Sequence, residues 1–95
     1  MVVSTLQFIV ELPEITSLKD KRSIVKSVKD KLIHKFKVSA AEVDLHDSLR
    51  YAQLGAALVS NSQRFGESVL NKALDFVIDI TPGRILDTKV LSEHY

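Results

Sequence analysis

Asp44, His46, Asp47 and Ser48 fall within five consecutive positions, the densest cluster of chemistry-bearing residues in the chain. Two carboxylates and an imidazole are ligand types that suit Zn²⁺ or Mn²⁺. A serine beside them completes the letters of a nucleophilic triad. The spacing favours neither reaction. Adjacent residues of a strand point to opposite faces, so His46 and Asp47 converge only where a turn bends them together. A triad needs convergence around an oxyanion hole, and the chain has no GxSxG turn. It also has no cysteine, which removes thiolate catalysis, thiolate metal sites and disulfides together and suits a reducing cytosol. The cluster reads as a polar strand end and turn. No catalytic residue, metal or cofactor is expected, and an enzyme ranks behind a binding protein.

Binding chemistry is concentrated elsewhere. In Ser17 to Lys37, SLKDKRSIVKSVKDKLIHKFK, eight residues are Lys or Arg and two are Asp, a net +6, which leaves −5 for the other 74 residues. The overall charge of +1 thus hides a polarised molecule, and such polarity concerns partners rather than fold. Leu18, Val25, Val28, Leu32 and Phe36 lie within about 40° of one line at 3.6 residues per turn, so this stretch is an amphipathic helix with a core-facing stripe. Ser17 with Asp20 makes a capping box at its start. Lys19, Arg22, Lys26 and Lys29 line one flank of the stripe, at about 40° to 120° from Val25. They form the candidate nucleic-acid ridge. Lys21, Lys31 and Lys35 fall on the other flank as a second, less compact edge. His34 lies opposite the stripe and His94 in the tail, where a solvated role is expected.

The elements that carry this helix follow from periodicity. Leu6, Phe8, Val10 and Leu12 alternate with more polar residues, which makes a strand that Pro13 ends. A second strand is expected over about 38–45, with a bulge near Ala40 and Ala41 to reconcile its two apolar parities. A third, Tyr51 to Ser60, is apolar on both faces, as a central strand is. Ser60 with Gln63 is the candidate cap of a helix from about Ser62 to Ile80, with Phe65, Val69, Ala73, Phe76 and Val77 facing the core. Thr81, Pro82 and Gly83 stop it, and Ile85 to Leu91 makes a last strand. The order βαββαβ with right-handed crossovers gives an α+β ferredoxin-like plait, a four-stranded antiparallel sheet with two helices on one face. At 95 residues one domain is expected. The opening residues carry no basic region or cleavage site of a signal peptide, and no apolar run approaches the roughly 18 residues a bilayer crossing needs. A soluble, cytoplasmic protein without a membrane partner is expected.

Other chemistries of this plait lack their residues here. Acylphosphatases hold phosphate with an Arg in a glycine-containing loop after the first strand, where this chain has ELPEITS. Copper-carrying domains need paired Cys in that loop. RNA-recognition motifs stack bases on aromatic residues of the central strands, whereas the outward residues here are Thr5, Gln7, Ile9, Gly55, Ala57 and Val59, with only Tyr51 aromatic. RNA readout by the sheet face is therefore not expected. The same face exposes Ile9, Ala57 and Val59 around Gly55, an apolar group in a position that a monomer usually makes polar. These four residues are the candidate interface of a homodimer or higher closed oligomer.

Three stretches, SLKDKR at Ser17 to Arg22, AEVD at Ala41 to Asp44 and LGAALVSN at Leu54 to Asn61, resemble the YlxP family of small bacterial proteins, and the likeness covers nearly the whole chain. The resemblance implies a ferredoxin-like fold. Genes of that family often lie near transcription and translation genes, which suggests a role near RNA or the ribosome, and no catalytic residue carries over. Family members often have a Trp in the loop before the third strand, where Leu49 stands here, and this weighs against aromatic stacking by that loop. The leading expectation is a non-enzymatic RNA- or ribosome-associated factor acting through the basic helix. The alternative is a homo-oligomeric interaction module, with a small ligand at its interface as one variant.

Overall fold

Alternation in the first residues produces the central strand β1 (Val2–Glu11) of the computed structural model, which describes Met1–Tyr95. Leu6, Phe8 and Val10 face inward as expected, joined by Val2 and Ser4. Then follow α1 (Leu18–Phe36), β2 (Ser39–Asp44), β3 (Tyr51–Ser60), α2 (Gln63–Ile80) and β4 (Arg84–His94). The four strands form one antiparallel sheet in the order β2-β3-β1-β4. This is the ferredoxin-like plait. Helix α1 carries the chain from β1 across β3 to β2, and α2 carries it from β3 across β1 to β4. A continuous core of Leu, Val, Phe and Ala side chains lies between the sheet and the helices. No helix is long and apolar enough to cross a membrane.

Local details correct several expectations. The irregularity in β2 lies not at Ala40 and Ala41 but between Glu42 and Asp44, where Val43 is the extra residue against β3. Ala40 and Glu42 stay on the helix side, opposite Ala56 and Leu54, Val43 lies outward over Gly55 in step with Ser39 and Ala41, and the extra residue brings Asp44 opposite Gln53. The last strand runs to His94, well past Leu91, and is itself bulged where Asp87 adopts a left-handed φ of 51°. Ser60 does not cap α2. Ser62 does, its hydroxyl accepting from the Phe65 amide at 3.2 Å. Ser60 instead braces that cap, its hydroxyl donating to the Ser62 carbonyl and accepting from the Ser62 amide.

Helix α2 buries Ala73 and Val77 and packs Val69 against the core as expected, but its aromatic residues do not lead that face. Gly66, Leu70, Ala73 and Val77 are buried, while Phe65 is 59% exposed and Phe76 half-buried. The cause is the close approach of α2 to β1. At Gly66 a β-carbon would overlap the Ser4 hydroxyl, which is itself buried and hydrogen-bonded to the Ser92 hydroxyl at 2.8 Å. Only the glycine lets the helix lie that near, and its phase rotates Phe65 out. The other glycine with a specific duty is Gly83, whose φ of 101° turns the chain from α2 into β4 directly over the Glu11 carbonyl.

Glycine inside a helix ordinarily costs about 0.5–1 kcal/mol relative to alanine. Overpacking a filled core costs about 1–3 kcal/mol, so packing decides the sign here. Gly66→Ala is expected to lower stability by denaturant titration and thermal unfolding, and adding Ser4→Ala to it should recover part of the loss.

Candidate functional surfaces

The first turn of α1 holds a cation that faces inward. Ser17 caps the helix, accepting from the Asp20 amide at 3.2 Å, and this sets the phase of the turn that follows. That phase brings Lys21 under the helix, 2% exposed, among the largest fully buried side chains. Its Nζ donates to the main-chain oxygens of Leu45 at 2.6 Å, Ser48 at 2.7 Å, Tyr51 at 3.0 Å and His46 at 3.3 Å. An ammonium has three protons, so four carbonyls share them. Glu42 completes the cage with Oε2 at 3.3 Å, a buried oxygen without a hydrogen bond of its own, held by opposite charge alone. Lys21 thus does not belong to a second basic edge. A lysine about 40° from the apolar stripe has two fates, and the acceptors of the β2–β3 turn decide between them.

The four predicted ridge residues stay on the outside. Lys19, Arg22 and Lys26 are exposed and Lys29 is half-buried. They share their flank with an acid, because Lys26 Nζ lies 2.6 Å from Asp30 Oδ2 one turn on. Asp30 is held below the usual carboxylate range, chiefly by that hydrogen bond and further by the charges of Lys26 and Lys29. It therefore stays ionised at neutral pH and offsets part of the Lys26 charge. On the opposite flank Lys35 sits 4.3 Å from the centre of the Phe76 ring, which packs edge-on against Phe36. That cation joins α1 to α2. With Lys21 buried, α1 and its flanks from Ser17 to Lys37 still present seven cations against two carboxylates.

The second predicted surface is the face of the sheet turned away from the helices. Ile9, Gly55 and Ala57 are half-buried there and Val59 is 64% exposed. Val43, on the same face as Ser39 and Ala41, lies over Gly55 and is 49% exposed, and Leu91 of β4 is 47% exposed. Between them Thr5, Gln7, Ala41, Gly55 and Ala57 floor a shallow dish of about 330 Å³. Polar groups frame the apolar area: Gln53 donates to Gln7 at 3.3 Å, and Arg84 pairs with Glu11 at 3.4 Å.

The opening cluster does not assemble. Asp44 accepts from the Leu45 amide at 2.7 Å, and Ser48 accepts from the amides of Arg50 and Tyr51. These are turn-forming bonds. His46 and Asp47 are exposed, and no three side chains of metal-ligating type come together. Leu49 is exposed beside them.

Residues 3–90 match the model of a family described as "Protein of unknown function (DUF503)". The chain belongs to that family. It is also similar to the "Uncharacterized protein YlxP" of Bacillus subtilis (strain 168), 34% identical over 61 residues. That match spans 64% of this chain and 66% of the relative, just under two thirds of each. In this DUF503 chain, two of the three stretches that carry the likeness, SLKDKR and AEVD, hold the two charged partners of the buried cage, Lys21 and Glu42. No pattern count could have found that contact. The available signal was Lys21 near the apolar line, together with an acid on a strand that is otherwise apolar on that side.

Removing one member of a buried charge pair typically costs about 3–5 kcal/mol. Lys21→Met would leave the Glu42 carboxylate and the turn carbonyls unpaired. Stability by denaturant unfolding is expected to fall by about that amount, with amide exchange rising first in 45–51. A loss under about 1 kcal/mol would assign the cage no structural role.

Proposed function

We propose that this protein is a non-enzymatic RNA-binding factor that grips a phosphate backbone with the outer flank of α1. The observation that carries this reading is the placement of Lys19, Arg22 and Lys26, exposed, and Lys29, half-buried, along one flank of α1 with a single carboxylate, Asp30, among them. Three or four contacts to phosphate give an affinity that falls with salt. The ridge has no aromatic or forked polar group for base edges, so little sequence preference is expected. Association with the ribosome fits such a grip, because ribosomal RNA offers phosphate in a fixed pattern. Binding of a single-stranded RNA oligonucleotide should weaken with a log–log salt slope of magnitude about 2–4. The triple variant with Glu at Arg22, Lys26 and Lys29 should lose binding while keeping the wild-type circular dichroism spectrum. Equal RNA retention by both proteins at low salt would return the helix to a merely solvated face.

A second reading concerns the open sheet face, and the exposure of Val43, Val59 and Leu91 around Ile9, Gly55 and Ala57 favours it. Scattered apolar residues are ordinary on a surface, but a contiguous set on one flat layer marks a contact. A second copy of the chain stacked on this face would bury both dishes at once in a two-fold dimer. Leu91→Glu would place an unpaired carboxylate in that contact without touching the helix side. It should shift a wild-type dimer to monomer in sedimentation equilibrium, and a wild-type monomer at high micromolar concentration would end this reading.

A further inference from the structure

The pairing of β2 with β3 begins at Ser39 opposite Ala57, yet β3 continues to Ser60. Over Leu58, Val59 and Ser60 it has β1 on one side and no strand on the other. The chain leaves that line because Lys37, the C-terminal cap of α1, takes a left-handed φ of 57° and donates its amide back to Ile33. No main-chain group of Leu58, Val59 or Ser60 bonds outside the sheet. Main-chain groups of alternate residues point to the two edges of a strand, so those of every second residue here are free on the β2 side. Such a row is a template for another strand.

Beside it lies a cleft of about 590 Å³, walled by Phe36, Val38, Leu58, Phe65 and Val69, with Lys37 at its mouth. The phase of α2 that leaves Phe65 59% exposed is what makes this wall. We infer that this end of β3 is a docking slot for an extended, apolar peptide segment of a partner protein, added in line with β2 and flanked by acidic residues. Free main-chain groups favour a peptide, because an added strand satisfies them while its alternate side chains enter the apolar cleft. Charge favours an acidic flank. Lys37 is the only charged residue lining the cleft, Arg64 is exposed in the first turn of α2, and neither takes part in an ion pair. This site is separate from the α1 ridge, so either can fail without the other.

The probe is an acetylated, amidated pentapeptide, Glu-Val-Ile-Val-Glu, titrated into the ¹⁵N-labelled protein. Amide shifts are expected at Leu58 to Ser60, at Lys37 and at Phe65. Phe65→Ser, which changes an exposed side chain and should leave the fold intact by circular dichroism, is expected to weaken binding about tenfold. N-methylation of the peptide's central amides should weaken it about as much by removing strand bonds. Four results would overturn the inference: no shifts at millimolar peptide, shifts confined to the open sheet face, or equal binding of the N-methylated peptide, which would make the cleft a site for small apolar molecules. The fourth is a wild-type oligomer that Phe65→Ser disperses, which would show that a second copy already fills the slot.

Discussion

An ammonium group with almost no access to water has to be surrounded by oxygen, and Lys21 organises one end of this molecule around that requirement. Burying an unpaired cation costs several kcal/mol or more, so the turn after β2 must aim its carbonyls inward rather than at solvent. Leu45 accepts a left-handed φ of 63° within that turn. Strand alternation keeps Glu42 on the helix side within reach of Nζ, and the irregularity at Val43 follows directly after it, where β2 gives way to the turn. One side chain from the first turn of α1 thereby ties that turn to the end of β2 and the start of β3. Two of the three stretches that carry the likeness to YlxP, SLKDKR and AEVD, meet here through Lys21 and Glu42.

Much of the plan was legible before any coordinates, and the reasons are physical. Period-two and period-3.6 patterns located every element, because burying one face is what stabilises a strand or a surface helix. Ser17 marked the start of α1 correctly, since its cap is a local bond between near neighbours. What escaped were features settled by contacts distant in sequence. The inward fate of Lys21 depends on carbonyls more than twenty residues away. The phase of α2 depends on Gly66 meeting Ser4, which no count of apolar residues along α2 includes. The bulge moved from Ala40 and Ala41 to Val43 because Glu42, polar by type, has a buried partner. The ridge and open-face residues stand where helical angle and strand parity put them.

The surface divides into regions of different chemistry. Outer α1 is cationic, the open side of the sheet is apolar with a polar frame, and the cleft at the end of β3 combines apolar walls with free main chain. Lys35 belongs to none of these, because the rings of Phe36 and Phe76 engage its charge and clamp the two helices together. The sheet face and the cleft adjoin, since Ala57 and Val59 belong to both, whereas the α1 ridge stands apart from them.

The kink in β4 at Asp87 has a bearing on how the protein behaves when crowded. An outermost strand of eleven residues would otherwise offer a long ruled line along which a neighbouring sheet could zip, the route by which folded proteins seed fibres. A left-handed residue in its middle breaks the ruling into two short lengths set at an angle, with Asp87 and Lys89 standing beside the break. A bulged edge of this kind is a poor template for edge addition. The molecule can therefore carry an apolar sheet face without the opposite danger of endless stacking along the sheet, and concentrated solutions should remain clear where a straight β4 would turn them turbid.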